Sequence, residues 1–587
     1  GRLAKNFPIR VSIGYYNQSG LLKTDKAERL TGSVSLSPSF FDDHLKVNVN
    51  VKGSVNNNRF AETGAIWAAA TYNPTLPVYS GNHAFGGYLE ALDNVGEPVN
   101  AAVLNPLGYI KQNKSTSKVT RFVGNADVDY RVHFLPDLKF HATLGYDYAE
   151  GKGKVYVPAE AMQYYTTGGR DYSYGPQKNT NRLLTTYLNY NKYLDSWKSN
   201  IDATVGYDYQ FWKSTSPLYS ELNTLGAVQS TSAATDQRHA LISYYARLNY
   251  TFDSRYMLTA TVRRDGTSRF NKDNRWGTFP SVALAWRVSE EAFLKDNTVL
   301  SNLKLRASYG SLGNNTLGDN RDKDGNYMSQ SMFAQTNYVL GRTVVNGLSQ
   351  TAIANADLTW ETTYITNIGV DYGLLGNRLS GSIEYFDKRT KGILIDLPAP
   401  MVHGNATVPK QNSAKVSNRG IEFTTSWNDK IGKDFSYNVG FNFTYIKNNV
   451  DKFKGGDASY DGARMLKEGL PIWSLYVLEA DRIIQTDEDL AIVEQMVANN
   501  PDAFTAFGTP QKGDLLYKDV NGRDENGELT GKPDGKIDND DRVVVGNGQN
   551  PNFTFGMNLG FEWKGIDFSM LFQGQAGLKD IFHSNLF

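Results

Sequence analysis

The chain of 587 residues has no cysteine, only seven histidines and a formal net charge of +0. Without thiols there is no disulfide framework and no thiolate metal site. A balance of 61 basic and 61 acidic residues gives no electrostatic reason to bind nucleic acid. Mean hydropathy is -0.46, and no stretch approaches the ~18 consecutive apolar residues of a spanning helix. That absence excludes helical membrane proteins only, because a membrane β-barrel spreads its apolar surface over alternate residues. Catalytic signatures are missing as well. There is no HExxH, no GxSxG and no P-loop, and GELTGK (527–532) has one residue too few between its glycines. No carboxylate pair stands out as acid and base, so the chain is not expected to be an enzyme. Gly1 opens no signal peptide, which reads as a mature product or an internal piece.

What the sequence does contain is alternation. In FVGNADVDYRVHF (122–134), Phe122, Gly124, Ala126, Val128, Tyr130, Val132 and Phe134 share one parity. Asn125, Asp127, Asp129, Arg131 and His133 share the other. Successive strand side chains point to opposite faces, so this is a strand with one apolar and one charged side. The pattern recurs, for instance from Leu45 to Lys52, Leu138 to Tyr148, Ile201 to Gln210, Tyr244 to Asp253, Phe435 to Tyr445 and Phe553 to Trp563. About seventeen such segments occur, many near the ~10 residues that a tilted strand needs to cross a bilayer. The abundant Tyr (35), Phe (29) and Gly (54) suit strands, turns and interfacial girdles.

The connectors alternate too. Short ones are 40–44, 135–137, 253–255, 374–377, 428–433 and Lys564-Gly565; long ones are 55–118, 150–182, 212–240, 311–361, 389–418 and 448–551. Short turns at one end and long loops at the other describe an outer-membrane barrel. The fold expected is therefore all-β: a transmembrane antiparallel β-barrel whose apolar parity meets lipid and whose polar parity faces a wet or plugged lumen. The competing reading is a soluble β-sandwich or propeller, whose strands run shorter, about five or six residues. One helix is expected inside a loop, in DEDLAIVEQMVANNPDAF (487–504), with Asp487 as N-cap.

Several longer stretches resemble the SusC/RagA class of TonB-dependent outer-membrane transporters. They are RRDGTSRFNKDNRWGTFPSVALAWRVSEEAF (263–293), LSNLKLRASYGSLGN (300–314), the stretch 358–394, NSAKVSNRGIEF (412–423) and the stretch 513–577, in family order. The resemblance implies a barrel of about 22 strands. It implies that an N-terminal plug and roughly two strands precede Gly1 and that roughly three follow Phe587, so that 1–587 is a partial barrel domain. It further implies TonB-dependent import of oligosaccharides or oligopeptides. A SusD-like lipoprotein lid, the TonB–ExbB–ExbD complex acting on the plug, outer-membrane lipid and a dimer of transporter–lid pairs are the implied partners. The alternatives are an outer-membrane barrel of enzymatic or structural role and a soluble glycan-binding protein.

Three sets of side chains are candidates for sites. Asp519, Asn521, Asp534, Lys536, Asp538 and Asp541 reproduce an EF-hand-like series if 523–533 is looped out. Alternate oxygens in a tight loop suit structural Ca²⁺, against the plainer reading of a solvated Asp/Gly turn cluster. DNRDKDGN (319–326) lacks that spacing and reads as an exposed loop. Trp67, Tyr72, Tyr79, Tyr88, Tyr164, Tyr165, Tyr172 and Tyr174 fall in two long loops, with Phe85 beside them. Flat rings stack on sugars, or else pack the loops together. Arg264, Asp265, Arg269, Arg275 and Trp276 match the family hairpin and read as scaffold first, cargo contact second. His133 and His141 are expected near one turn on the lumen face without a third metal ligand.

Overall fold

In the computed structural model, backbone hydrogen bonds join strands in chain order into one antiparallel sheet. The structure describes all residues except 1, 5, 6, 82, 100, 101, 296, 318–326, 396–403, 405, 407–409, 455–457, 526 and 582–587. The cluster at 319–326 thus lies outside the described residues. Seventeen long strands form the sheet: β1 (Phe7–Ser19), β2 (Lys26–Leu36), β3 (Leu45–Phe60), β4 (Lys114–Arg131), β5 (Leu138–Val157), β6 (Arg170–Leu194), β7 (Ser199–Ser216), β8 (Thr235–Phe252), β9 (Tyr256–Thr267), β10 (Trp276–Arg287), β11 (Leu300–Asn314), β12 (Glu361–Leu374), β13 (Leu379–Ile395), β14 (Gln411–Ile431), β15 (Phe435–Lys452), β16 (Phe553–Trp563) and β17 (Ile566–Ala576). Each pairs with its chain neighbours, and no pairing among the described residues joins β1 to β17.

Register carries the alternation from strand to strand. Leu258 lies opposite Leu284, Leu284 opposite Ala307, Ala307 opposite Ile368, Ile368 opposite Tyr385 and Tyr385 opposite Ile421. This row is apolar across six strands, yet Leu284 is 57% and Ile368 56% exposed. A soluble sandwich buries such a row against a second layer. Here nothing among the described residues covers it, and an acyl-chain environment suits it. The opposite parity is polar: Glu384 faces Gly369 and Glu422, and Glu422 faces Thr444.

The tight connections lie at one end of the sheet. They are 37–44, 132–137, 195–198, 253–255, 375–378, 432–434 and 564–565, with 288–299 wider. Rings gather beside them: Tyr256 stacks between Phe252 and Trp286, and Phe561 between Phe435 and Phe568. Tyr256 Oη (2.6 Å) and Trp286 Nε1 (2.9 Å) both donate to Glu291, so the girdle turns its polar tips toward water.

The other end is taller than expected. Strands continue far into the stretches read as loops, leaving 61–113, 158–169, 217–234, 315–360, 396–410 and 453–552 as the larger connections. β6 alone runs 25 residues. Above the bilayer both faces are wet, so alternation fades from the sequence while backbone pairing continues. Conversely β4 ends at Arg131, and Val132, His133 and Phe134 belong to the turn.

The loop ends carry small cores of their own. In 453–552, helix α3 (Asp487–Asn499) buries Val493 against Ile484, Phe504, Leu516 and Ile537. Its N-cap is Thr486 rather than Asp487, in a capping box with Asp489. A hydroxyl with an acidic residue three positions on satisfies two orphan amides at once, which Asp487 could not. We predict that Ile368→Arg, on the lipid-facing row, costs about 2–4 kcal/mol in refolding into lipid vesicles. Asn367→Arg, on the other parity, is expected to cost under about 1 kcal/mol.

Candidate cargo site at the loop end

The aromatic loop 61–113 is built around one buried side chain. Asn105, 1% exposed, caps helix α2 (Pro106–Gln112) by accepting from the amides of Leu107 (3.1 Å) and Gly108 (3.2 Å). Its Nδ2 donates to the carbonyls of Val78 (2.9 Å) and Leu89 (3.1 Å). Its own amide donates to Glu90 (3.0 Å), whose carboxyl burial pushes above the usual range. Asn105 thus gathers three segments of the loop. It was not singled out in the sequence, although an Asn before a Pro at a helix start was a usable signal.

Around this centre most of the candidate rings are packing. Tyr72 is half-buried and donates to Leu89 O. Tyr88 is half-buried, 5.5 Å from Tyr79. Tyr164 lies under the Arg170 guanidinium at 4.2 Å. Phe85 meets Tyr165 at 5.1 Å, joining this loop to 158–169. Tyr172 and Tyr174 are not in a loop; they lie on β6, where Tyr174 faces Tyr219 at 6.3 Å. Trp67 (47% exposed), Tyr79 (61%) and Tyr165 (43%) remain open to solvent. Helix α1 (Gly64–Thr71) carries Trp67.

The 263–293 stretch is the hairpin β9–β10, and its loop is scaffold. Phe270 is buried against Trp360 and Leu358. Arg275 O accepts from Trp360 Nε1 (3.2 Å), and Arg269 donates to Asn315 O (3.1 Å). Arg264 lies over the Trp276 ring at 5.4 Å. Below it, the inward face holds ion pairs that the sequence did not disclose. Arg263 binds Asp265 (2.8 Å), Asp208 (3.2 Å) and Ser243 (2.8 Å). Arg306 binds Asp371 (3.1 Å) and Glu384. Parity placed these charges inward; which charge meets which depends on register. His141 joins this face through Asp129 (2.7 Å) and Thr143 (2.8 Å), whereas His133 stacks on His44 in the turn.

The acidic loop folds on its own amides. Asp541, 1% exposed, accepts from Val520 (2.8 Å), Asn521 (3.0 Å) and Asp538 (2.9 Å). Asp519 accepts from Asp534 (3.2 Å) and Gly535 (2.8 Å), Asp534 from Lys536 (2.9 Å), and Asp538 from Asp540 (2.7 Å). Asn521 accepts from Gly531 (2.6 Å). Burial pushes the Asp519 carboxyl up, and the Asp541 and Asp534 carboxylates add to it, against the amides of Gly535 and Asp534. Among the described residues, no three His, Asp or Glu converge where a metal ion could sit. The donor set fits a hydrogen-bonded turn cluster better than a calcium cage. We predict that Asp541→Ala opens this loop to protease while the barrel stays intact, at about 1–3 kcal/mol per amide left unpaired. Calcium chelation is expected to leave the cleavage pattern of the wild-type loop unchanged; protection by added calcium would restore the metal reading.

The family model described as "TonB dependent receptor-like, beta-barrel" matches residues 68–475. The chain is 37% identical over 480 residues to TonB-dependent receptor SusC of Bacteroides thetaiotaomicron, covering 78% of this chain and 47% of that protein. It is 28% identical to TonB-dependent receptor P3 of Formosa agariphila, over 97% of this chain and 56% of that one. The chain spans about half the length of the curated relatives it matches. Among solved structures, the RagAB peptide importer in its closed-closed state superposes with a TM-score of 0.74, at 22% identity, over 98% of this chain and 61% of that one. That likeness concerns the fold. The meander of lipid-facing strands and the matched sequence span lead to one assignment: the chain belongs to the TonB-dependent receptor family and supplies outer-membrane β-barrel strands of that family.

Proposed function

We propose that this chain is the barrel wall of an importer that takes up oligosaccharides, captured at the cell surface together with a SusD-like lipoprotein lid. The identity with SusC is the observation that carries this reading. Supporting it, the loop end presents Trp67, Tyr79 and Tyr165 on a tall, packed collar, and flat exposed rings match the faces of sugar rings. Inward-facing ion pairs such as Arg263 with Asp208 and Asp265 line a polar path on which sugar hydroxyls find donors and acceptors. The barrel does no covalent chemistry. It provides a shaft wide enough for the cargo and a docking rim for the lid, while the TonB–ExbB–ExbD complex, pulling on a plug, supplies the work. Pairs of transporter and lid assemble as dimers in this reading. Oligopeptides are the second cargo class, favoured by the fold shared with a peptide importer.

Trp67→Ala and Tyr79→Ala are expected to lower uptake several-fold with no change in heat-modifiable migration of the barrel. Removing both aromatic loops is expected to abolish uptake. Transport assays with labelled oligosaccharides and oligopeptides, in cells whose only copy is the variant, check both. Full uptake in the loop-deleted protein overturns the role of the rings, and preference for peptides overturns the choice of cargo.

A further inference from the structure

Just above the apolar belt, the outward face of β2–β5 turns basic. On β4 the outward parity passes from Phe122 through Thr120 to Lys118, and on β3 from Val55 through Asn57 to Arg59. On β5 it passes from Tyr148 through Glu150 to Lys152 and Lys154. Each outward step is about 6.6 Å along the strand, so these cations stand at headgroup height, one or two steps beyond the last apolar ring.

Register sets like charges face to face. Lys26 lies directly opposite Arg59, and Lys118 directly opposite Lys152. Such pairs destabilise a sheet unless an anion lies between or above them. The protein provides little: Glu28 binds Lys26 (2.6 Å) and Asp171 binds Lys154 (2.9 Å). Among the described residues, no carboxylate reaches ion-pair distance of Arg59, Lys118 or Lys152, and the Arg59 Nε is buried without a hydrogen-bond partner.. The same residues line a concavity of about 570 Å³. Across the barrel the motif repeats, with Lys391 opposite Lys415 and Lys415 opposite Lys452.

We propose that the Arg59–Lys118–Lys152 concavity seats the phosphate of a phosphorylated outer-leaflet lipid. Lys stems lie along the apolar wall and hold their ammonium groups at the phosphate level, and Arg59 adds directed N–H donors. The patch faces away from the lumen and stands where headgroups stand, so lipid is the occupant rather than cargo or lid.

The test uses the full-length transporter in detergent micelles doped with bis-phosphorylated lipid A, with retained lipid read by mass spectrometry. The triple variant Arg59→Gln/Lys118→Gln/Lys152→Gln is expected to retain it about a hundredfold more weakly, since each headgroup-level cation contributes roughly fivefold. Wild-type protein should release the same lipid once its phosphates are removed, and millimolar inorganic phosphate should not displace the intact lipid. Equal retention by the variant overturns the proposal. Displacement by inorganic phosphate makes this a free-anion site and also overturns it. So does a variant that keeps lipid A but loses a co-purifying acidic lipoprotein. Heat-modifiable migration verifies folding; should the triple variant misfold, Lys118→Gln/Lys152→Gln removes a repulsive pair, folds at least as well as wild type, and is expected to bind about twenty-fivefold more weakly.

Discussion

In hydrocarbon a peptide group has no water to turn to, and each unpaired one costs several kcal/mol. That single requirement orders the rest of this molecule. Strand must pair with strand along the whole bilayer depth, and every paired residue sends its side chain to lipid or to the lumen. Leu284, Ile368 and Tyr385 are exposed in the isolated chain because their partner is the membrane. The charges of Arg263 and Arg306 point the other way: Arg263 finds Asp265 on its own strand and Asp208 two strands away, and Arg306 finds Asp371 on the next strand and Glu384 on the one beyond.

The same constraint explains what was legible in the sequence. Within the bilayer the two faces have opposite solvents, so the period of two is written plainly from Phe122 to Tyr130 and from Phe553 to Trp563. Above it the solvents are alike, the period vanishes, and residues 170–182 of β6 read as loop although they are paired through to Arg170. Tyr172 and Tyr174 were misplaced for that reason. The hairpin at 263–293 was legible because turn residues and rings sit at fixed offsets. The acidic loop has two readings in the sequence because carboxylates serve amides and cations through the same oxygens; in the structure Asp541 accepts from three backbone amides. Which rings stay exposed was not legible at all. It follows from tertiary contacts within and between the loops, such as those that Asn105 makes with Val78 and Gly108 and that Phe85 makes with Tyr165.

The collar is divided into local cores. Val493 with Phe504, Phe270 with Trp360, and Val416 with Val450 each form an apolar cluster. The first sits within one connection, the second joins the connections after Thr267 and Asn314, and the third lies at the tops of two paired strands. The wall therefore answers to the membrane, and the loop end answers to whatever it meets in water. In the importer reading, a change of cargo needs new side chains on a loop end that packs on itself.

Pairing only between chain neighbours has an evolutionary corollary. A meander contains no crossing connection, so duplication or loss of one hairpin inserts or removes two adjacent staves without rethreading any other. Circumference in such a lineage changes by even increments, and each increment brings one tight turn on the inner side and one new loop on the outside. Pore width and surface recognition are then enlarged together, by a single genetic event.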